Sequence, residues 1–350
     1  NSVPVYRLPP AGSGQLKKWG LVFSSIPALF QLRNQYDLLF VSGFRIIGIS
    51  AVWMSKLLGK KCILKADSQG EMSGSFFYSG LKRFGLSRDY LAFRFFLWLR
   101  NLILSRADAF TVITEKIAAE LRERNIPNHK IANIPNCVDT RHFHPVSQEQ
   151  KKRLRQQLQL PQNATIFIYT GRLVTYKGLP LLLQVWRKLR QQYPDIYLLL
   201  VGAGGLDMHN CEATLQAYAQ DNNLATSVRF TGNVHNVHDY LQASDVYAFP
   251  TEDDAFPSSL VEAMSCGLAV VTTPVGAIRS IIQHQSNGLL IEPGDFEQLY
   301  LALEALLPDM DWRLRLGQSA RATVIERYSM DVVIDSYISL FTEILSSAHS

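Results

Sequence analysis

From residue 165 onward the chain alternates short apolar runs with longer stretches in which apolar side chains recur every three or four positions. The runs Thr165–Thr170, Ile196–Gly202, Ser227–Thr231, Val246–Pro250, Ala269–Thr273 and Gly288–Ile291 are rich in branched residues and almost free of charge. Such runs read as strands covered on both faces, the habit of parallel sheets. Helical patterns, among them Leu179–Gln192 and Glu212–Gln220, lie between them. The alternation predicts a doubly wound α/β domain, which binds ligands at the carboxyl ends of its strands.

The first 145 residues are less regular. Leu38–Ser42, Lys61–Lys65, Ala109–Ile113 and Ile131–Ile134 read as strands with amphipathic helices between them, giving a second α/β domain. Pro145, the polar run Ser147–Lys152 and a change of charge sign place the boundary there. The expected organisation is an N-terminal domain over 1–145, a C-terminal domain over 146–328, and a tail over 329–350. The tail carries the amphipathic helix Met330–Ser346 and is expected to pack back toward the first domain. No internal repeat of solenoid length is present.

Composition changes little in this picture. With 350 residues, 47% hydrophobic and 19% charged, the chain can form two ordered cores. The longest apolar candidate, Tyr90–Leu104, is broken by Arg94 and Arg100, so no membrane-spanning helix is expected. Cys62, Cys137, Cys211 and Cys266 show no metal or disulfide spacing and are expected as free thiols in the cytoplasm. Charge is more informative. Residues 1–146 carry 20 Lys and Arg against 9 Asp and Glu, while residues 147–350 carry 15 against 21. The basic half suits an anionic membrane, a phosphate-bearing substrate or nucleic acid; solvated surface charge is the equal alternative.

Candidate chemistry gathers at strand ends. Asp254–Val271, DAFPSSLVEAMSCGLAVV, leaves one strand, turns at Phe256-Pro257, runs as a short helix from Ser258 and stops at Gly267. The N–H groups of Ser258, Ser259 and Leu260 are expected free to hold an anion. Glu262, one turn in, can take paired hydrogen bonds from the vicinal hydroxyls of a ribose. Asp254 can bind sugar hydroxyls. The bland alternative is a capped helix with one surface glutamate. Gly171–Gly178, GRLVTYKG, places Arg172 and Lys177 after another strand, where two cations can neutralise a diphosphate and stabilise it as it leaves. Such residues are otherwise ordinary surface charge. Gly202, in VGAGG, permits close approach of a ligand, and Val234, in RFTGNV, sits on a glycine turn that can meet a base. Either segment is otherwise a flexible turn.

Taken in order, IPNCVD (134–139), GRLVTYKG, VGAG, FTGNV and DAFPSSLVEAMSCG resemble the signature series of glycosyltransferase family 4. The resemblance implies a GT-B fold, with two facing Rossmann-like domains and the active site in the cleft between them. It implies transfer of a sugar from a nucleotide donor with retention of configuration. Arg172 and Lys177 then bind the diphosphate, with Gly171 beside them; Glu262 holds the ribose; and the amides around Ser258–Leu260 assist. The family's glutamate eight residues before the helix glutamate is here Asp254, and Cys137 stands where the family has glycine. The family's initial strand and glycine-rich loop are not found before Val3, so the chain reads as truncated. Nor is the family's loop histidine found in Leu64–Glu71, where Asp67 and Glu71 are the cleft candidates.

No DxD motif of the metal-dependent glycosyltransferases stands out; Glu252-Asp253-Asp254 is a near miss. With Arg172, Lys177 and a helix N-terminus available, no metal or other cofactor is expected, and a UDP- or GDP-sugar serves as substrate. The implied acceptor is a hydroxyl on a glycan, a lipid-linked sugar or a small molecule, with no nucleic-acid partner. The segment Phe76–Arg106 mixes Phe76, Phe77, Phe84, Phe93, Phe95, Phe96 and Trp98 with six basic residues. It suits docking at the inner face of an anionic membrane, although a buried helix with a wet basic face is the slightly favoured expectation. Competing functions are a catalytically silent nucleotide-sugar-binding protein of the same fold and a nucleotide-sugar epimerase. A nicotinamide dehydrogenase is disfavoured because no strand leads into GxGxxG.

Overall fold

A computed structural model describes residues 4–9, 15–77 and 90–346; Val3 and Phe84 lie outside them. The chain forms two compact units, one made of 1–135 with 334–350, the other of 136–333.

In the first unit, strands β1 (Leu38–Ser42), β2 (Lys61–Ala66), β3 (Ala109–Val112) and β4 (Ile131–Asn133) form a parallel sheet in the order β1-β2-β3-β4. Cys62, Ile63 and Leu64 of β2 and all of β3 are buried, as the uncharged stretches of strands flanked by helices must be. The helix Glu115–Glu123 starts where Thr114 accepts the Ile117 N–H at 3.2 Å, and it buries Ile117, Ala118 and Leu121. Phe40 of β1 meets Tyr337 and Phe341 of the C-terminal helix, with ring centres at 5.5 and 5.7 Å.

In the second unit, β5 (Thr165–Thr170), β6 (Ile196–Val201), β7 (Val228–Gly232), β8 (Val246–Phe249), β9 (Ala269–Thr272) and β10 (Leu289–Leu290) form a parallel sheet in the order β10-β9-β8-β5-β6-β7. Trp186, on the helix Leu179–Gln192, is fully buried against Phe167 at 5.3 Å and donates its indole N–H to Ser227 Oγ at 3.3 Å. The strand order decides where a ligand sits. β5 and β8 are neighbours, and the chain leaves them toward opposite edges of the sheet. That reversal opens a crevice at their carboxyl ends.

The division between units falls after Pro135, not at 145. The Val138 N–H donates to the Tyr328 carbonyl at 2.9 Å, and the Met330 N–H donates to the Val138 carbonyl at 3.0 Å. The Phe143 carbonyl accepts from Ser265 Oγ at 2.6 Å, and the His144 carbonyl from Gln242 at 3.1 Å. These bonds tie residues 136–144 to the second unit, and a polar run at 147–152 does not break them. The helix Met330–Ser346 begins in the second unit and continues in the first.

The aromatic-basic segment also departs from the favoured expectation. Its helix, Leu91–Leu104, buries Arg100 and turns apolar side chains outward. The buried guanidinium donates to the carbonyls of Arg45, Glu71 and Met72, which satisfies it without water.

Candidate functional site

Two glycines, Gly171 and Gly202, line the floor of the site, and a third, Gly232, braces it. Gly171 follows β5, Gly202 follows β6 and Gly232 ends β7. Their backbones touch: the Gly171 N–H donates to the Val201 carbonyl at 2.9 Å, and the Gly202 N–H to the Gly232 carbonyl at 3.0 Å. Gly202 has φ of 132°, and a Cβ there would stand 2.0 Å from the Gly171 carbonyl oxygen. No other residue fits.

The wall is the helix Ser258–Ser265. Pro257 precedes it, and the Pro257 carbonyl takes the N–H of Leu260 at 3.1 Å and of Val261 at 3.3 Å. Leu260, expected to offer a free N–H, therefore does not; its side chain is fully buried as well. The N–H groups of Ser258 and Ser259, at the first two helical positions, have no partner among the described residues. Tyr247 of β8 is buried, with its hydroxyl 2.9 Å from Ser259 Oγ and 3.3 Å from the Thr170 carbonyl. Burial pushes that phenol's pKa upward, so it stays protonated and locks the helix start to the end of β5. Glu262 has no cation beside it, and burial alone raises its carboxyl to about 7.

Floor and wall enclose a cavity of about 300 Å³. Of the residues expected in a site, Gly171, Arg172, Gly202, Val234, Ser259 and Glu262 line it together. Thr170, Asn233 and Val237 join them.

The two cations stand differently. Arg172 is exposed, paired with Asp207 and donating to the Tyr176 hydroxyl at 2.7 Å. Lys177 is 8% exposed, donating to Asp254 Oδ2 at 2.7 Å and to the Asp253 carbonyl at 2.9 Å. The Tyr176 and Phe249 rings lie 5.1 and 5.5 Å from its ammonium. Gly178 explains this closeness: at φ 71° its missing Cβ would lie 1.9 Å from the Pro250 carbonyl, so the β5 and β8 loops touch through bare backbone. Asp254 is therefore held by Lys177 rather than by solvent. Phe256 packs on Tyr328 with ring centres 5.9 Å apart, Pro257 is buried, and Ser258 is exposed at the helix start.

In the first unit, Asp67 accepts from Ser42 Oγ at 2.5 Å. Glu71 is almost fully buried; its Oε1 lies 3.3 Å from Ser68 Oγ, and burial raises its carboxyl to about 7. Glu120 accepts the N–H groups of Gly70, Met72 and Ser73, which fixes the loop after β2.

Residues 150–323 match the family described as Glycosyl transferases group 1, and residues 1–137 match the Glycosyl transferase 4-like domain. This chain belongs to the group 1 glycosyl transferases. This group 1 chain is 27% identical over 250 residues to N-acetyl-alpha-D-glucosaminyl L-malate synthase of Bacillus anthracis, a match covering 71% of this chain and 63% of the relative. It is 29% identical to D-inositol 3-phosphate glycosyltransferase of Corynebacterium urealyticum, covering 68% of this chain and 57% of the relative. These matches span less than two thirds of the relatives' length. The crystal structure of Anabaena HepE in complex with UDP superposes with a TM-score of 0.75 at 19% identity, covering 96% of this chain and 84% of that one. The shared fold is GT-B, with two Rossmann-like units.

Sequence reasoning missed the support of this group 1 site. Tyr247 sits in the four-residue strand VYAF just before the main motif, and its phenol was the available signal. Thr170 closes an apolar strand in the same way. Asp207 and Tyr176, which hold Arg172, come from loops whose approach depends on the fold.

Proposed function

We propose that this chain is a retaining glycosyltransferase that binds a nucleotide-diphosphate sugar in the crevice at the carboxyl ends of β5 and β8. One observation carries the reading: an uncompensated carboxylate, an arginine and Ser259, whose helix N–H is free, share one cavity over a glycine floor. Glu262 accepts the ribose hydroxyls. The Ser258 and Ser259 N–H groups, Arg172 and Lys177 neutralise the diphosphate. Asp254 meets the donor sugar, oriented by its bond to Lys177. HepE was crystallised with UDP, which supports a uridine donor; a guanosine donor is the other candidate.

In the proposed reaction an acceptor hydroxyl attacks the anomeric carbon from the face the diphosphate leaves. The carbon–phosphate-oxygen bond breaks, and the hydroxyl proton passes to the departing phosphate oxygen. Arg172 and Lys177 take up the developing charge, so no metal is required. The acceptor is a hydroxyl on a glycan, a lipid-linked sugar or a small molecule. For a lipid-linked acceptor the enzyme works at the inner face of the membrane.

Thermal unfolding with UDP, GDP and ADP, with and without EDTA, tests the donor site. At about 100 times the dissociation constant a true ligand stabilises by about 2.7 kcal/mol. We expect one nucleotide to raise the midpoint in EDTA, and Arg172→Ala and Glu262→Ala to abolish the rise. A folded protein that responds to none of the three would sink the reading. Binding without donor hydrolysis or transfer would instead mark a silent nucleotide-sugar binder.

A further inference from the structure

The helix Leu91–Leu104 is apolar around nearly its whole circumference. Its inner side is accounted for: Phe93 and Phe96 lie against Phe77, and Leu104 is buried. On its outer side Leu91, Phe95, Trp98, Leu99 and Leu102 recur at helical spacing. All five are exposed, from 42% to 79%, and the rings of Phe95 and Trp98 stack at 5.7 Å. Positions like these on an ordinary surface helix carry charge. Here the helix has no Asp or Glu. Its exposed cations, Arg94 and the following Arg106, have no acidic partner among the described residues. Trp53 and Leu57, on the adjacent helix Ile47–Leu57, are exposed as well.

We infer that this face docks on an anionic lipid bilayer, with the helix lying in the interface, its apolar stripe at the acyl boundary and its arginines on lipid phosphates. One observation sets how the helix meets lipid, and another disfavours a second copy of the chain. Fourteen residues cover roughly 21 Å, short of a bilayer core of about 30 Å, so the helix lies on the membrane rather than crossing it. A second copy fits poorly, because in a two-fold pair the face meets itself and arginines confront arginines with no acid to pair them. The inference rests on the membrane placement proposed above and gives it a surface. Its test reads binding rather than turnover, so it stands or falls separately from the donor site.

The full chain is sedimented with vesicles of phosphatidylcholine alone and of phosphatidylcholine mixed with phosphatidylglycerol. We expect partitioning to the mixed vesicles, weakened by salt. Phe95→Ser with Trp98→Ser should lower it by roughly tenfold. Arg94→Gln and Arg106→Gln should each lower it by roughly fivefold, on anionic vesicles only. Near-ultraviolet circular dichroism matching the parent establishes that each variant is folded. Two results overturn the inference: parent protein that ignores anionic vesicles, or partitioning that survives Phe95→Ser with Trp98→Ser. A dimer that dissolves in that variant, without vesicle binding, would assign the face to a second copy instead.

Discussion

Glu262 is a half-buried acid kept without a counter-charge, and this leaves a signature in stability. Its carboxyl keeps a proton up to about pH 7 in the folded chain, against 4.5 for an unperturbed glutamate. Between those values the folded state binds more protons than the unfolded one, so stability falls as pH rises through the window. Glu262→Gln removes the ionisation. We expect the variant to match the parent near pH 4 and to exceed it at pH 8, by at most about 3 kcal/mol, read from unfolding midpoints at the two values. The same variant should lose its response to nucleotide, because an amide cannot replace a carboxylate that accepts two hydroxyls. In the parent, that response should be larger at pH 8 than at pH 6. Lys177 makes the opposite case. Removing it leaves the Asp254 carboxylate, only 18% exposed, with no cation. Lys177→Met should cost about 3 kcal/mol in an unfolding titration, whereas the exposed Arg172→Ala should cost less than about 1 kcal/mol.

Elements were easier to read than the contacts between them. Thr165–Thr170, Leu38–Ser42, Leu179–Gln192 and Met330–Ser346 have the bounds their patterns predict, because a buried parallel strand and an amphipathic helix each write their burial into local sequence. Gly171, Gly202, Ser259 and Glu262 were equally legible, since each follows a strand that could be recognised. The orientation of Leu91–Leu104 was not. Its two faces are both apolar, so hydrophobicity cannot say which one packs, and Arg100, one of the residues of the expected wet basic face, is enclosed by three carbonyls instead. The glycine floor also depends on partners distant in sequence. Gly202→Ala must push its Cβ away from the Gly171 carbonyl, which parts the ends of β5 and β6. We expect a loss of about 2 kcal/mol together with loss of the nucleotide response. Gly205→Ala, on the same loop with nothing within 4 Å of a Cβ, should keep that response. Calorimetry of both variants with and without nucleotide checks this.

At the scale of the whole chain, every residue lining the 300 Å³ cavity belongs to the second unit. Hydrogen exchange with the stabilising nucleotide present should therefore slow amides near Gly171, Gly202 and Ser259. Amides of β2 and β3 should be unchanged at short exchange times. Slowing confined to the first unit would place the nucleotide elsewhere.

The helix Met330–Ser346 closes the second unit and then contributes its remainder to the first, where Tyr337 and Phe341 meet Phe40. The two units are therefore finished in the reverse of the order in which they begin. During translation residues 136–333 can collapse as soon as they emerge, while the strand bearing Phe40, made some three hundred residues before its partners, waits with an apolar face uncovered. A chain ended at residue 333 should carry a protease-resistant second unit and a first unit still open to cleavage and to chaperones.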